Sequence, residues 1–170
     1  MLHERQKTMQ TLVVGNTRTG KGEWLTPPEI IHALGKFDLD PCAPVNRPWP
    51  MAANHFTIEQ DGLKQQWFGR VWCNPPYDPP SMAAFVRRCV EHRNATLLTF
   101  ARTETKVFQE LIFPNVVAML FIAGRLRFYH ATGEQAGTAG APSVLAAFDE
   151  ANAAMLAQSG IRGKYIRFSR

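Results

Sequence analysis

Val71-Trp72-Cys73-Asn74-Pro75-Pro76-Tyr77 is the stretch on which the fold turns. Three apolar residues meeting an amide and two prolines read as a buried strand stopped at its carboxyl end. The same form recurs on either side. Upstream, Phe37-Asp38-Leu39-Asp40 is a short apolar strand ending on an acid, and Pro41, Pro44, Pro48 and Pro50 forbid a helix behind it. Downstream, Ala95–Phe100, Val116–Ile122, Ser143–Phe148 and Lys164–Phe168 read as strands, with a half-exposed one at Arg125–Tyr129. Helical patterns fall between them. Thr26 as N-cap, Pro27 at N1 and Glu29 at N3 form a capping box before an Ile30, Ile31, Leu34, Phe37 stripe. Ser81 caps a second helix, in which Met82, Phe85, Val86, Cys89 and Val90 share one face. Further helices are predicted near Glu104–Phe113 and over Glu150–Gln158, the latter ended by Gly160.

Apolar strands alternating with amphipathic helices predict parallel pairing, hence an α/β sheet covered on both faces. The segment between Asp40 and Val71 is too short for two complete strand–helix units. It predicts an abbreviated sheet, with His55–Ile58 as a short strand and Asp61–Trp67 as a single turn or helix. His130–Pro142, rich in Gly and Ala, reads as a mobile loop. Residues 1–22 are polar apart from Leu12-Val13-Val14 and read as a flexible arm, leaving 23–170 as a single domain.

Composition narrows the class. A chain of 170 residues with 45% apolar and 11% aromatic content buries a core of its own and excludes disorder. No apolar run approaches the ~18 residues of a membrane span, and Met1–Gln10 lacks a signal-peptide pattern. A soluble cytoplasmic protein without a membrane partner is expected. Cys42, Cys73 and Cys89 are odd in number and widely spaced, so neither a disulfide framework nor a metal site is expected. Nineteen Lys and Arg against 14 acids, net +5, favour a polyanionic partner such as nucleic acid. Ala157–Arg170 holds four of those cations, Arg162, Lys164, Arg167 and Arg170, and no acid. It reads either as a surface lining nucleic acid or as an edge strand guarded by charge.

Asn74-Pro75-Pro76-Tyr77 carries the chemistry. Ligands of open α/β sheets bind beyond the carboxyl ends of strands, where this tetrapeptide falls. Its prolines hold the loop rigid and leave carbonyls free to accept. An exocyclic amine would donate one hydrogen to the Asn74 amide oxygen and the other to the Pro75 carbonyl. Two acceptors draw the nitrogen toward sp3 character and turn its lone pair outward as a nucleophile. Tyr77 supplies a flat face for a planar ring. Neither feature needs a titrating base.

Asn-Pro-Pro-Tyr after a strand resembles motif IV of amino-methyltransferases. The other landmarks resemble the small phage-type N6-adenine DNA methyltransferases, the Dam-like phage family. They are Trp24-Leu25-Thr26-Pro27, Phe37 to Ala43, Asp61-Gly62-Leu63, Trp67, Val71 to Tyr77, Ala101 to Thr105 and Gly124 to Phe128, in order over residues 24–128. The resemblance implies an abbreviated Rossmann-like methyltransferase sheet, mostly parallel with an antiparallel C-terminal part and helices on both faces. It implies S-adenosylmethionine as cofactor, double-stranded DNA as partner and a phage or prophage protein acting in the cytoplasm of a bacterial host.

Roles follow by position. Trp24, Thr26 and Pro27 would pack against the cofactor, and Asp40, Pro41, Cys42 and Ala43 would form the turn beside it. Asp61 would accept from its ribose or adenine. Asn74, Pro75, Pro76 and Tyr77 would take the target adenine, turned out of the duplex. Arg102, Thr103, Thr105 and Arg125 would contact DNA, and Phe128 would be a wedge or core. Trp67 and Trp72 read as core, and His92 and His130 receive no role. The usual cofactor loop of Rossmann-like methyltransferases is glycine-rich, whereas this chain has Asp40-Pro41-Cys42-Ala43-Pro44, a departure that the phage-type pattern tolerates. An amino-methyltransferase acting on RNA guanine or protein glutamine, and a catalytically silent DNA-binding relative, are the alternatives.

Overall fold

Trp72 leaves its strand on one side, Val71 and Cys73 on the other, and each side packs into a separate core. The computed structural model describes residues 24–169; the expected arm, 1–22, lies outside them. The chain runs β1 (Trp24–Leu25), α1 (Pro28–Leu34), β2 (Leu39–Asp40), β3 (Asn54–His55), β4 (Val71–Cys73), α2 (Pro79–His92) and β5 (Ala95–Phe100). It continues through a π-helical turn (Val107–Ile112), β6 (Ala118–Ile122), β7 (Arg127–His130), β8 (Gln135–Thr138), β9 (Ser143–Ala147), α3 (Glu150–Gln158) and β10 (Gly163–Arg167). A seven-stranded sheet has the order β10-β6-β9-β5-β4-β2-β3, and a three-stranded sheet the order β1-β7-β8.

Helices cover both faces, as the alternation predicts. α1 and α3 set Ile30, Leu34, Ala153 and Leu156 against Trp72, Leu98, Leu120 and Leu145. On the other face Phe85, Val86 and Cys89 of α2, with Phe108 and Ile112, meet Val71, Leu97, Met119 and Val144. Arg70 locks the amino end of β4, donating to the Leu34 and Lys36 carbonyls and to Asn152 Oδ1, the last at 2.7 Å. Among the described residues no helix is long and apolar enough to cross a membrane.

The sheet is mixed in equal parts rather than mostly parallel. β3, β2, β4 and β5 pair in parallel, while β9 enters antiparallel between β5 and β6, and β10 flanks β6 antiparallel. After β6 the chain turns through the β7–β8 hairpin and re-enters from the edge it left, so β9 must run the other way. His130–Pro142 is accordingly no loop, because it contains β8, paired with β7.

Element ends also depart from the local reading. α1 has Pro27 at its N-cap and no side-chain cap, so the Thr26–Glu29 capping box does not form. In α2 the cap is Asp78, whose carboxylate accepts from the Ser81 N–H at 3.0 Å, and Ser81 lies inside the first turn. The helix expected near Glu104–Phe113 shortens to the wider π-helical turn at Val107–Ile112, where the Phe113 N–H donates to the Phe108 carbonyl five residues back. The strand expected at His55–Ile58 lies at Asn54–His55, and that at Arg125–Tyr129 lies at Arg127–His130. Residues 61–67 are turn without helix. β10 is an edge strand, and its Arg167 pairs with Glu150 at 2.6 Å, opposite the amino end of β6.

Candidate active site

β2 to β5 are parallel, and β6 runs in their direction because β9 opposes both β5 and β6. One edge of the sheet therefore collects Asp40–Ala43, Asn74–Tyr77, Arg102–Thr105 and Arg125. β2 has β3 on one side and β4 on the other, so the strand order reverses there. Such a reversal is where a crevice opens beyond the carboxyl ends.

Asn74 is held in one orientation. Its Nδ2 donates to the Trp24 carbonyl at 3.3 Å and to Thr26 Oγ1 at 3.4 Å, which turns Oδ1 the other way. There Oδ1 accepts from the Tyr77 hydroxyl at 3.0 Å. Burial pushes the Tyr77 hydroxyl up, so it stays a donor across the physiological range. The Thr26 hydroxyl, 1% exposed, serves this amide instead of capping α1. The Tyr77 ring lies on Phe100, centroids 4.4 Å apart and planes 7° from parallel. No third ring fits that gap, so an incoming base must stack outside the pair. Phe100 escapes a motif-based reading. Its signal is register: Cys73 pairs Leu97, which sets the end of β5 beside the end of β4.

The turn after β2 is equally constrained. Asp40, 4% exposed, accepts from the Cys42 N–H at 3.1 Å. Burial pushes its carboxyl up to about 7, against the opposing pull of the Cys42 hydrogen bonds and the Arg47 charge. The Cys42 and Cys73 sulfurs lie 3.9 Å apart and tie the turn to β4. Burial pushes Cys42 up to about 11, so it is a neutral thiol and not a nucleophile. The Ala43 N–H donates to the Phe56 carbonyl and the Phe56 N–H to that of Asp40. Pro41 is buried, and Gly62 rests on its carbonyl so closely that a Cβ there would collide with backbone. Asp61 beside it has φ 53°, a left-handed conformation that aspartate tolerates. Its hydrogen bond with Lys64, at 2.9 Å, holds the carboxyl below its usual range.

The structure thus brings Asp40–Ala43 and Asp61 into one cluster, and Asn74, Tyr77, Trp24 and Thr26 into another, joined through Cys42 and Cys73. Pro75 is buried and Pro76 exposed between them. Arg102 and Thr103 are exposed on the same edge. The Thr105 hydroxyl is engaged locally, donating to the Arg102 carbonyl and accepting the Phe108 N–H. Arg125 is exposed and reaches the Ala139 carbonyl at 3.4 Å. Phe128 is buried core and not a wedge. Among the described residues no group of three or more His, Cys, Asp or Glu is placed to hold a metal ion.

Asp40 gives the fold a measurable pH dependence. Its carboxyl ionises near 3.8 at its ordinary value and near 7 when folded, so the unfolded chain loses the proton first. The stability tied to protonated Asp40 is complete below about pH 4 and is lost as pH rises toward about 7. The melting temperature of the wild type minus that of Asp40→Asn is expected to fall across this interval and level off above it. Parallel melting curves would refute the buried acid.

A family model described as DNA N-6-adenine-methyltransferase (Dam) matches residues 15–160. No curated protein and no solved structure matches the chain.

Proposed function

The chain belongs to the DNA N-6-adenine-methyltransferase (Dam) family, and on that premise we propose that it methylates the N6 amine of adenine in double-stranded DNA, using S-adenosylmethionine. The base is turned out of the helix, since its amine is out of reach inside the stack. The observation that carries this reading is the fixed amide of Asn74. With Nδ2 committed to Trp24 and Thr26, Oδ1 stands at the strand end as an acceptor.

The residues fit S-adenosylmethionine. The Asp40 carboxylate is buried at the strand-order reversal, and among the described residues its hydrogen bonds come from Cys42. Burial leaves its carboxyl only partly ionised near neutral pH; the ionised form has about four acceptor sites, so the hydroxyl or ammonium donors of such a ligand would find capacity there and favour ionisation. Asp40, Pro41, Cys42, Ala43 and Asp61 would hold the cofactor, with Trp24, Thr26 and Pro27 bordering it. When bound, it supplies an electrophilic methyl group on a sulfonium.

The protein's part is positioning. Asn74 Oδ1 and the Pro75 carbonyl accept the two amine hydrogens. The Tyr77 hydroxyl shares Oδ1, whose two lone pairs serve both donors. The outer face of the Tyr77–Phe100 pair carries the adenine ring, and Phe100 keeps Tyr77 from turning away. The protein works in the cytoplasm of a bacterial host and is of phage or prophage type.

Incubation with S-adenosylmethionine and unmethylated duplex DNA, followed by nucleoside mass spectrometry, is expected to yield N6-methyladenine. N4-methylcytosine alone, transfer to RNA or protein in place of DNA, or no methylated base would each overturn the reading.

A further inference from the structure

The three-stranded sheet is fastened to the catalytic loop. Asn74 Nδ2 donates to the carbonyl of Trp24 in β1, and β1 pairs antiparallel with β7, Trp24 opposite His130 and Leu25 opposite Tyr129. β8 lies beyond β7, with Thr138 opposite Arg127. Strands in a sheet are about 4.8 Å apart, so β8 stands about 10 Å from β1. That is roughly three base-pair rises of duplex.

The outer surface of this hairpin suits a nucleic-acid backbone. From Ala123 to Thr138 the chain carries Arg125 and Arg127 against one acid, Glu134 at the hairpin turn, while His130 lies against Trp24 with ring centroids 5.0 Å apart. Arg125 and Arg127 are exposed, and Arg127 has no ion pair among the described residues. Arg167 differs, being neutralised by Glu150 toward the opposite end of the sheet. The backbone between these cations is bare. Gly137 of β8 has neither a positive φ nor any atom within 4 Å of where a Cβ would stand. Neither conformation nor internal packing requires glycine there, and a smooth strand admits another backbone closely. Thr138, exposed beside Arg127, adds a hydroxyl donor.

We propose that the β7–β8 hairpin, through Arg127, Arg125 and the glycine-smoothed face of β8, grips the phosphate backbone of duplex DNA within about three base pairs of the extruded adenine. The inference rests on the DNA reading and adds to it the clamp that sets the position of the base. Because β1 hydrogen-bonds to both β7 and Asn74, the grip and the acceptor are linked by one continuous run of hydrogen bonds.

The test is fluorescence anisotropy on a labelled, unmethylated random-sequence duplex, titrated with salt, for the full chain and its variants. Arg127→Ala is expected to weaken binding several-fold and to lower the slope of log affinity against log salt by about one. Gly137→Val meets open space and favours the strand, so its melting temperature should hold while its affinity falls about tenfold. Arg167→Ala should leave affinity and slope unchanged. Unaltered binding in both hairpin variants, or a wild type that binds no duplex, overturns the proposal, as does a loss confined to RNA. Unaltered variants that still yield N6-methyladenine sink the clamp alone. Affinity lost as expected in a protein that methylates no DNA keeps the clamp and sinks the enzyme assignment.

Discussion

Asn74→Ala is expected to lower methyl transfer about 10²–10³-fold, the range found when one preorganised polar group is removed from an active site. Asn74 sits at the end of β4, and three partners fix its amide: the Trp24 carbonyl, Thr26 Oγ1 and the Tyr77 hydroxyl. Alanine removes the acceptor that polarises the amine and releases Tyr77 from its anchor. The cluster around Asp40 and Asp61, proposed to hold the cofactor, keeps its own bonds, because none of them involves the Asn74 side chain. Single-turnover rates at saturating DNA should therefore collapse while calorimetric affinity for S-adenosylmethionine holds. Asn74→Asp should not rescue the rate, since it sets a second acceptor against the Trp24 carbonyl. A loss below tenfold in Asn74→Ala would remove this residue from the mechanism.

Gly62→Ala is expected to be the most damaging small substitution on the cofactor side. The added methyl would meet the carbonyl oxygen, carbonyl carbon and Cα of Pro41, all backbone atoms. No rotamer change relieves that clash. On its other side the Gly62 carbonyl accepts from Trp67 Nε1 at 2.8 Å, so the glycine cannot simply back away. The Pro41 turn must move, and Asp40 and Cys42 move with it. Overpacking of this kind costs about 1–3 kcal/mol or more, and 3 kcal/mol lowers Tm by about 6–12 °C in a domain of this size. Calorimetry should show cofactor affinity reduced more than tenfold. Gly140→Ala, which meets open space, should change neither quantity. Equal melting temperatures for the two variants would contradict the close approach.

What the sequence revealed depended on whether a signal was local. Val71–Cys73, Ala95–Phe100 and Glu150–Gln158 fall on the predicted residues, because continuous apolar runs and helical spacing are written in the segment itself. The contiguous Asn74-Pro75-Pro76-Tyr77 likewise lay in plain view. The antiparallel entry of β9 did not, since strand neighbours are chosen by how the chain returns and not by periodicity. β8 was hidden because Gln135-Ala136-Gly137-Thr138 has little strand propensity and is a strand only through β7. Thr26 and Ser81 both resemble caps. One was diverted to Asn74, and the other yielded to Asp78 three positions earlier. Phe100 and Gly62 matter through partners far along the chain, Tyr77 and Pro41, which no local pattern names.

The insertion of β9 also sets an order of events during synthesis. β5 and β6 each leave an edge unpaired until Ser143–Ala147 arrives, and the pairings that close the gap are all antiparallel and remote in the chain. A nascent chain that has emerged only through Pro142 holds the β3-β2-β4-β5 half with one unpaired apolar rim, and β6 with both rims bare, since its partners β9 and β10 both follow. Such rims are templates for joining other chains. Contacts so distant in sequence also form slowly. The 28 residues after Pro142 are thus the piece that joins β6 to the rest of the sheet, and a ribosome stalling before them would release an aggregating fragment in place of a partly active enzyme.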